Sequence, residues 1–209
     1  SVQGYGVNDL QVDPVDPEGV YFCRYDLKKG SIGGAVQNLT IPIRNILGKT
    51  FRTKSFEVHD YGSVIYLSAT HNQNASIWRS GDGGSNWSKI ADKNTPNIGV
   101  WFDWFHATDF LIDPDNPDKV FATFSGYSIP GAKQRVAYSP NGGADWYDFS
   151  GASSSSNKLP NVPINEIENR INREIYVATD QGVYYTDFPQ NNIPATPVWK
   201  CFNNNLPNA

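Results

Sequence analysis

Ser80-Gly81-Asp82-Gly83-Gly84-Ser85-Asn86-Trp87 sets a serine, an aspartate, a glycine and a tryptophan at fixed places in a short segment. Ser139-Pro140-Asn141-Gly142-Gly143-Ala144-Asp145-Trp146 keeps this spacing, with asparagine in place of the aspartate. Glycine permits positive φ, and short polar side chains bond to the backbone of their own turn. We therefore predict two hairpin turns in which these residues have a structural role: Ser80, Asp82, Gly84, Trp87, Ser139, Asn141, Gly143 and Trp146.

The segment around each turn belongs to a longer repeat. Val12–Phe22 recurs as Ile112–Ala122, and a Val/Ile-aromatic step occurs at four places along the chain: Val20, Ile65, Val120 and Ile175. A period of about 45 to 55 residues is typical of propeller blades. Each unit contains short apolar segments separated by Pro, Asp, Asn and Gly, which predicts four short strands. We predict an all-β propeller of four-stranded antiparallel blades, with about four blades: 1–55, 56–97, 98–161 and 162–209.

The two turns resemble the Asp-box, or BNR repeat, of sialidase-like, sortilin-like and xyloglucanase-like (glycoside hydrolase family 74-like) β-propellers. A third copy is degraded, because Thr186 and Asp187 precede a Pro/Asn-rich insertion before Trp199. The resemblance implies that the box lies at an outer hairpin, away from the central channel. It also implies an extracellular or cell-surface location and a ring of six or more blades.

Composition narrows the classes of partner. The chain has 209 residues and a net charge of −4, so it offers no basic stripe for nucleic acid. No apolar run approaches the roughly 20 residues of a membrane span. Ser1–Tyr5 lacks the features of a signal peptide, and methionine is absent. We expect a segment of a longer propeller, whose remaining blades are its partners.

The two cysteines, Cys23 and Cys201, are predicted to be separate thiols, with a disulfide as the alternative.

Trp101-Phe102-Asp103-Trp104-Phe105-His106 is the densest cluster of aromatic and polar residues. Aromatic rings stack on the C–H surfaces of sugars, and carboxylates accept hydrogen bonds from their hydroxyls. The candidate ligand-binding residues are therefore Trp101, Asp103, Trp104 and His106. The alternative interpretation is a packing cluster between blades.

Asp180 lies in an Asp-Gln-Gly turn. This turn is similar to the one that carries a catalytic carboxylate in xyloglucanase-type enzymes, although the residues that follow depart from that pattern. Asp180 is therefore a weak catalytic candidate, and an ordinary blade turn is the alternative. The three histidines lack metal-ligand spacing, so we expect neither a metal nor a cofactor.

These observations favour a non-catalytic extracellular propeller module of a large secreted or cell-surface protein, which binds carbohydrate or protein through its loops. Two alternatives stay open. One is a glycoside hydrolase acting on β-glucan or xyloglucan, and the other is a sortilin-like module that binds peptide or assists assembly. Both rest on the family resemblance, because propellers host many functions.

Overall fold

The computed structural model describes residues 9–23, 25–39, 52–59, 61–71, 74–102, 105–124, 135–151, 156–170, 173–189 and 196–202. The described strands form four sheets of four strands each. In chain order they are β1 (Asp9–Val12), β2 (Gly19–Cys23), β3 (Leu27–Ser31), β4 (Gln37–Asn38), β5 (Arg52–Val58), β6 (Ile65–His71), β7 (Asn74–Ser80), β8 (Ser88–Ala91), β9 (Ala107–Asp113), β10 (Asn116–Phe124), β11 (Val136–Ser139), β12 (Tyr147–Asp148), β13 (Ile164–Asn169), β14 (Glu174–Thr179), β15 (Gly182–Asp187) and β16 (Lys200–Cys201). A 3-10 turn covers Gly99–Trp101.

Every sheet is an antiparallel meander whose strands pair in chain order. The first strands lie side by side, because β1 contacts β5, β5 contacts β9, and β9 contacts β13. The predicted all-β fold of four-stranded antiparallel blades is confirmed. The expected boundary between residues 55 and 56 falls inside β5, which pairs with β6 in the second sheet on both sides of that boundary.

Strand direction gives the sheets two distinct ends. The turn end carries the β1–β2, β5–β6 and β7–β8 turns, and the glycine-rich segments lie there in the β7–β8 and β11–β12 connections. The loop end carries the β6–β7 and β14–β15 turns and the connection from β8 to β9. The two glycine-rich turns therefore lie at the turn end. The candidate residues lie at the opposite, loop end: Trp101, His106 and Asp180.

Each sheet has a front face toward the following sheet and a back face toward the preceding one. Tyr66 is fully buried on the front face of the second sheet, in the core against the third sheet. Phe121 is fully buried on the front face of the third sheet, in the core against the fourth. Ile65 and Val120, one position earlier, are fully buried on back faces. Because side chains alternate along a strand, one Val/Ile-aromatic step supplies both contacts. The repeated step is thus the origin of the stacked cores.

The back face of the first sheet and the front face of the fourth sheet are the two outermost faces, and neither has a neighbouring sheet among the described residues. Leu10 and Val12 on the back face of the first sheet are 60% and 58% exposed. On the front face of the fourth sheet Tyr176 stacks on Tyr185 with ring centroids 5.6 Å apart, and both contact Phe202 edge-on. Residues that elsewhere form the core are therefore at the surface on these two faces.

The cysteines lie in the first and fourth sheets. Cys23 is buried, Cys201 is exposed, and both are free thiols. Among the described residues, no helix has the length and apolar character needed to cross a bilayer.

Candidate functional site

The first glycine-rich turn is closed by its own side chains. The Ser80 hydroxyl accepts from the backbone N–H of Gly84 at 2.9 Å and donates to Asp82 Oδ1 at 2.8 Å. The carboxylate of Asp82 accepts from the backbone N–H and the side-chain amide of Asn86 at 2.8 and 2.7 Å. These bonds from Asn86, followed by that from Ser80, hold the pKa of Asp82 below its usual value. Asp82 is thus fully engaged within its turn.

The second turn repeats this network with two residue types exchanged. Asn141 Oδ1 accepts from the Ser139 hydroxyl at 3.2 Å and from the backbone N–H of Asp145 at 2.9 Å. Asn141 Nδ2 donates to Asp145 Oδ2 at 2.8 Å. The first turn pairs Asp82 with Asn86, and the second pairs Asn141 with Asp145. The amide–carboxylate contact is therefore kept although the aspartate of the motif is missing.

Exchanging these residues tests whether the turns are structural. Asn141→Asp places a second carboxylate against Asp145, so we expect the free energy of unfolding to fall by about 1 kcal/mol at pH 7. The double variant Asn141→Asp/Asp145→Asn recreates the arrangement of the first turn and should regain most of that loss. Chemical denaturation measures both variants. A double variant no more stable than the single one would contradict the proposed pairing.

The last glycine of each turn lies against the preceding sheet. Gly84 has φ +90° and Gly143 has φ +92°. A Cβ on Gly84 would lie 3.0 Å from Leu39 Cβ, and a Cβ on Gly143 would lie 2.4 Å from Ile90 Cδ1. The backbone conformation therefore favours glycine at both positions, and at Gly143 the available space requires it as well. The turns bring successive sheets into close contact.

The tryptophans of the motif pack into the cores. Trp87 donates its indole N–H to the Gly84 carbonyl at 3.1 Å, and Trp146 is buried between the second and third sheets. Trp199 of the degraded copy is also buried and donates to the Phe149 carbonyl at 2.9 Å. The packing position of the tryptophan is thus retained where the turn itself has changed.

The aromatic segment at the loop end is divided between core and surface. Trp101 is 1% exposed, and its ring meets Phe124 edge-on at 4.9 Å, so it has no face on which a sugar could stack. Asp103 and Trp104 lie outside the described residues. His106 is partly buried; burial, and then the charge of Lys54, lowers its pKa and favours the neutral imidazole.

Asp180 is an exposed residue of the β14–β15 turn. Its carboxylate accepts from the side-chain amide of Asn165 at 3.1 Å, and its backbone N–H donates to the Pro163 carbonyl at 3.4 Å. Trp101 and His106 belong to the connection between the second and third sheets, whereas Asp180 belongs to the fourth. Asp180 and the aromatic segment are therefore parts of different blades.

A cavity at the loop end of the second sheet was not indicated by the sequence. Its volume is about 380 Å³. The side chains that give it chemical character are His71, Asn74, Trp78, Lys89, Asp92 and Lys93. These residues come from the β6–β7 hairpin, β8 and the turn after β8, so only the folded sheet brings them together.

Hydrogen bonds fix several groups of this cavity. Trp78 is buried, and its indole N–H donates to the Ser76 hydroxyl at 2.9 Å. Lys89 Nζ lies 2.5 Å from Asp92 Oδ2, while Asp92 Oδ1 accepts from the backbone N–H of Asn94 at 2.9 Å. Lys89, more than any other neighbour, lowers the pKa of Asp92. The cavity wall therefore includes an ionised carboxylate held in place by its turn.

The innermost strands are joined by side chains that accept backbone hydrogen bonds from the next sheet. Asp9 Oδ2 accepts from Phe56 at 3.0 Å, and Asp109 Oδ2 accepts from Ile167 at 2.9 Å. Gln11 Oε1 accepts from the backbone N–H of Val58 in the same way, at 2.9 Å. Because β5 and β13 are edge strands of their sheets, the bonds to Phe56, Val58 and Ile167 satisfy backbone groups on the unpaired edge of each strand.

Asp109 is the strongly perturbed carboxyl group of this region. Burial raises its pKa to about 7, and the charges of Asp9 and Glu168 add to this effect against the hydrogen bonds from Ile167 and Phe110. Alignment of the repeats within the sequence could have identified Asp109, because Asp9 and Asp109 each stand four residues before the Asp-Pro step of their repeat.

The described residues contain no group of three or more His, Cys, Asp or Glu that could hold a metal.

Comparison with known proteins places this geometry in a class. No model of a known protein family matches the chain. A xyloglucanase from Paenibacillus sp is 29% identical over 111 residues, which are 46% of this chain and 10% of that enzyme. The xyloglucanase from Xanthomonas campestris, of glycoside hydrolase family 74, has a TM-score of 0.64 at 16% identity, over 94% of this chain and 30% of its own.

A further structure is the extracellular domain of a one component system from B. thetaiotaomicron. It has a TM-score of 0.62 at 10% identity and covers 88% of this chain and 22% of its own. The chain thus spans between a tenth and a third of the length of these relatives. The class defined by the fold is the β-propeller. More particularly, the chain has the fold of the xyloglucanase-like β-propellers.

Proposed function

We propose that this chain is a non-catalytic propeller module of an extracellular protein and that it binds carbohydrate at its loop end. The observation that carries the proposal is the cavity of about 380 Å³ in the second sheet. Its volume lies in the range of small-molecule sites, which are about 300 to 1,000 Å³. An indole, an amide and charged groups around one cavity suit a ligand with apolar C–H faces and many hydroxyls.

The related proteins support the ligand class and the location. The similar sequence is a xyloglucanase, and the structures with this fold include family 74 xyloglucanases and an extracellular domain. Carbohydrate is therefore the ligand class that agrees with both the cavity and the comparisons. An extracellular setting agrees with the same comparisons.

The carboxylates around the cavity favour binding over hydrolysis. Asp92 is the one carboxylate among the described residues that line it, and it is paired with Lys89. Glycoside hydrolysis ordinarily requires two carboxyl groups that flank the scissile bond. The cavity can therefore hold a sugar without the pair of groups needed to cleave it.

One observation favours a glycoside hydrolase as a second candidate function. Asp109 has a pKa raised to about 7 and lies near Glu168, whose pKa is also raised by burial and then by Glu166. A carboxylic acid that keeps its proton near neutral pH is suited to act as a general acid. Against this role, Asp109 already accepts two backbone hydrogen bonds.

The two outermost faces support a second part of the proposal, in which further blades of the same protein cover them. Leu10 and Val12 hold positions on the first sheet that are buried between sheets elsewhere, as do Tyr176 and Tyr185 on the fourth. Burial of such apolar area is the main stabilising contribution to stacked blades.

Glycan binding by the intact chain tests the carbohydrate proposal. We expect oligosaccharides to bind in titration calorimetry. We expect Asn74→Ala and His71→Ala each to weaken binding about tenfold, equivalent to about 1.4 kcal/mol for a lost hydrogen bond to ligand. Glu18→Ala at the turn end is the control and should bind normally. Release of reducing ends from xyloglucan, abolished in Asp109→Asn, would replace this proposal with the hydrolase.

A further inference from the structure

The charges around the loop-end cavity are unequal. The wall carries two ammonium groups, from Lys89 and Lys93, but the carboxylate of Asp92 alone among the described lining residues. Lys89 is committed to Asp92 at 2.5 Å. Within the described part of the chain Lys93 forms no ion pair, although its charge also helps to hold the pKa of Asp92 low. The cavity therefore has a positive charge left to offer to a ligand.

This positive charge contrasts with the rest of the protein. The chain as a whole has a net charge of −4, whereas the cavity lining has more lysine than carboxylate side chains. An excess of one sign of charge around a cavity raises the local concentration of ligands of the opposite sign. The electrostatic character of the cavity thus selects an anionic group.

The backbone that carries Lys93 is well fixed. The N–H of Asp92 donates to the Thr95 hydroxyl at 2.8 Å, and the N–H of Thr95 donates to the Asp92 carbonyl at 2.9 Å. Gly99 packs so closely on this turn that a Cβ there would lie 2.4 Å from the Lys93 carbonyl oxygen. Lys93 therefore extends from a turn whose backbone is held in place by hydrogen bonds and close packing.

We propose that the loop-end cavity binds an acidic oligosaccharide, in which the carboxylate of a uronic acid unit pairs with Lys93. The inference rests on the proposed carbohydrate function and names the ligand class of the same site. The sugar hydroxyls suit Asn74 and His71 as hydrogen-bond partners. The ligand carboxylate would pair with Lys93 in the way that Asp92 pairs with Lys89. A neutral glucan would leave the ammonium of Lys93 partly desolvated without a partner.

The test compares two ligands that share one sugar backbone, one with free carboxylates and one with those carboxylates esterified. Tetragalacturonate and its methyl ester are titrated calorimetrically into the intact chain and into Lys93→Gln and Lys93→Arg. We expect the acid to bind at least tenfold more tightly than the ester, and its affinity to decrease as the salt concentration rises. Lys93→Gln should remove this preference and Lys93→Arg should retain it. Lys119→Gln in the third sheet removes a charge elsewhere and should have no effect.

The remaining outcomes distinguish failure of the acidic-ligand inference from failure of the carbohydrate-binding proposal. Equal binding of the acid and the ester, unaffected by Lys93→Gln, would overturn the acidic ligand but keep carbohydrate binding. A preference for the acid that persists in Lys93→Gln would place the anion elsewhere and overturn the inference. Failure of both ligands and of neutral oligosaccharides to bind a folded chain, as judged by circular dichroism, would overturn both proposals.

Discussion

Gly143→Ala is expected to lower the free energy of unfolding by about 3 kcal/mol or more, because backbone strain and steric overlap add at one residue. The glycine has φ +92°, where side chains other than hydrogen are disfavoured. A methyl group there would lie 2.4 Å from Ile90 Cδ1 and 2.8 Å from Ile90 Cβ. Ile90 packs against the core between the second and third sheets, so the overlap would push these two blades apart.

A second glycine provides the control for strain alone. Gly33 has φ +73°, and no atom of the described residues beyond its chain neighbours lies within 4 Å of its Cβ position, so Gly33→Ala should cost about 1 kcal/mol. The double variant Gly143→Ala/Ile90→Ala tests the overlap, because its cost should be less than the sum of the two single costs. Urea denaturation measures the unmodified chain, the three single variants Gly143→Ala, Gly33→Ala and Ile90→Ala, and the double variant. A Gly143→Ala chain as stable as Gly33→Ala would show that the blades do not meet at this turn.

The features that sequence predicted well are encoded over short distances. The network of Ser80, Asp82 and Asn86 closes within seven residues, so its spacing alone specifies which groups can meet. The Val/Ile-aromatic step specifies two faces of one strand by simple alternation. Blade architecture follows from these local signals repeated along the chain, which is why the class of fold was predictable.

The features that sequence did not predict depend on distant residues. Trp101 and His106 stand in one aromatic segment, yet the turn at Gly99–Trp101 directs the first ring onto Phe124 and leaves the imidazole partly exposed. The loop-end cavity likewise requires the register of β6, β7 and β8. The pairing of strands determined which side chains became accessible.

Asp109 illustrates this limit most clearly, since its partner Ile167 is 58 residues away. The pKa of its carboxyl is raised from 3.8 to about 7 in the folded chain, first by burial and then by Asp9 and Glu168. Between these two values the folded state keeps a proton that the unfolded state has lost. Its contribution to stability is therefore complete below about pH 3.8 and is lost as the pH rises through about 7.

We therefore expect the free energy of unfolding of the unmodified chain to fall, relative to that of Asp109→Asn, as the pH rises from 4 to 8. Each pKa unit corresponds to about 1.4 kcal/mol, so the full relative change is about 4 kcal/mol. The asparagine keeps an oxygen to accept from Ile167 but does not titrate. Urea denaturation across this range gives the difference, with the exposed carboxyl variant Asp180→Asn as the control. Parallel profiles for the unmodified chain and Asp109→Asn would mean that this carboxyl is ionised at neutral pH, which would also remove the observation that favours a hydrolase.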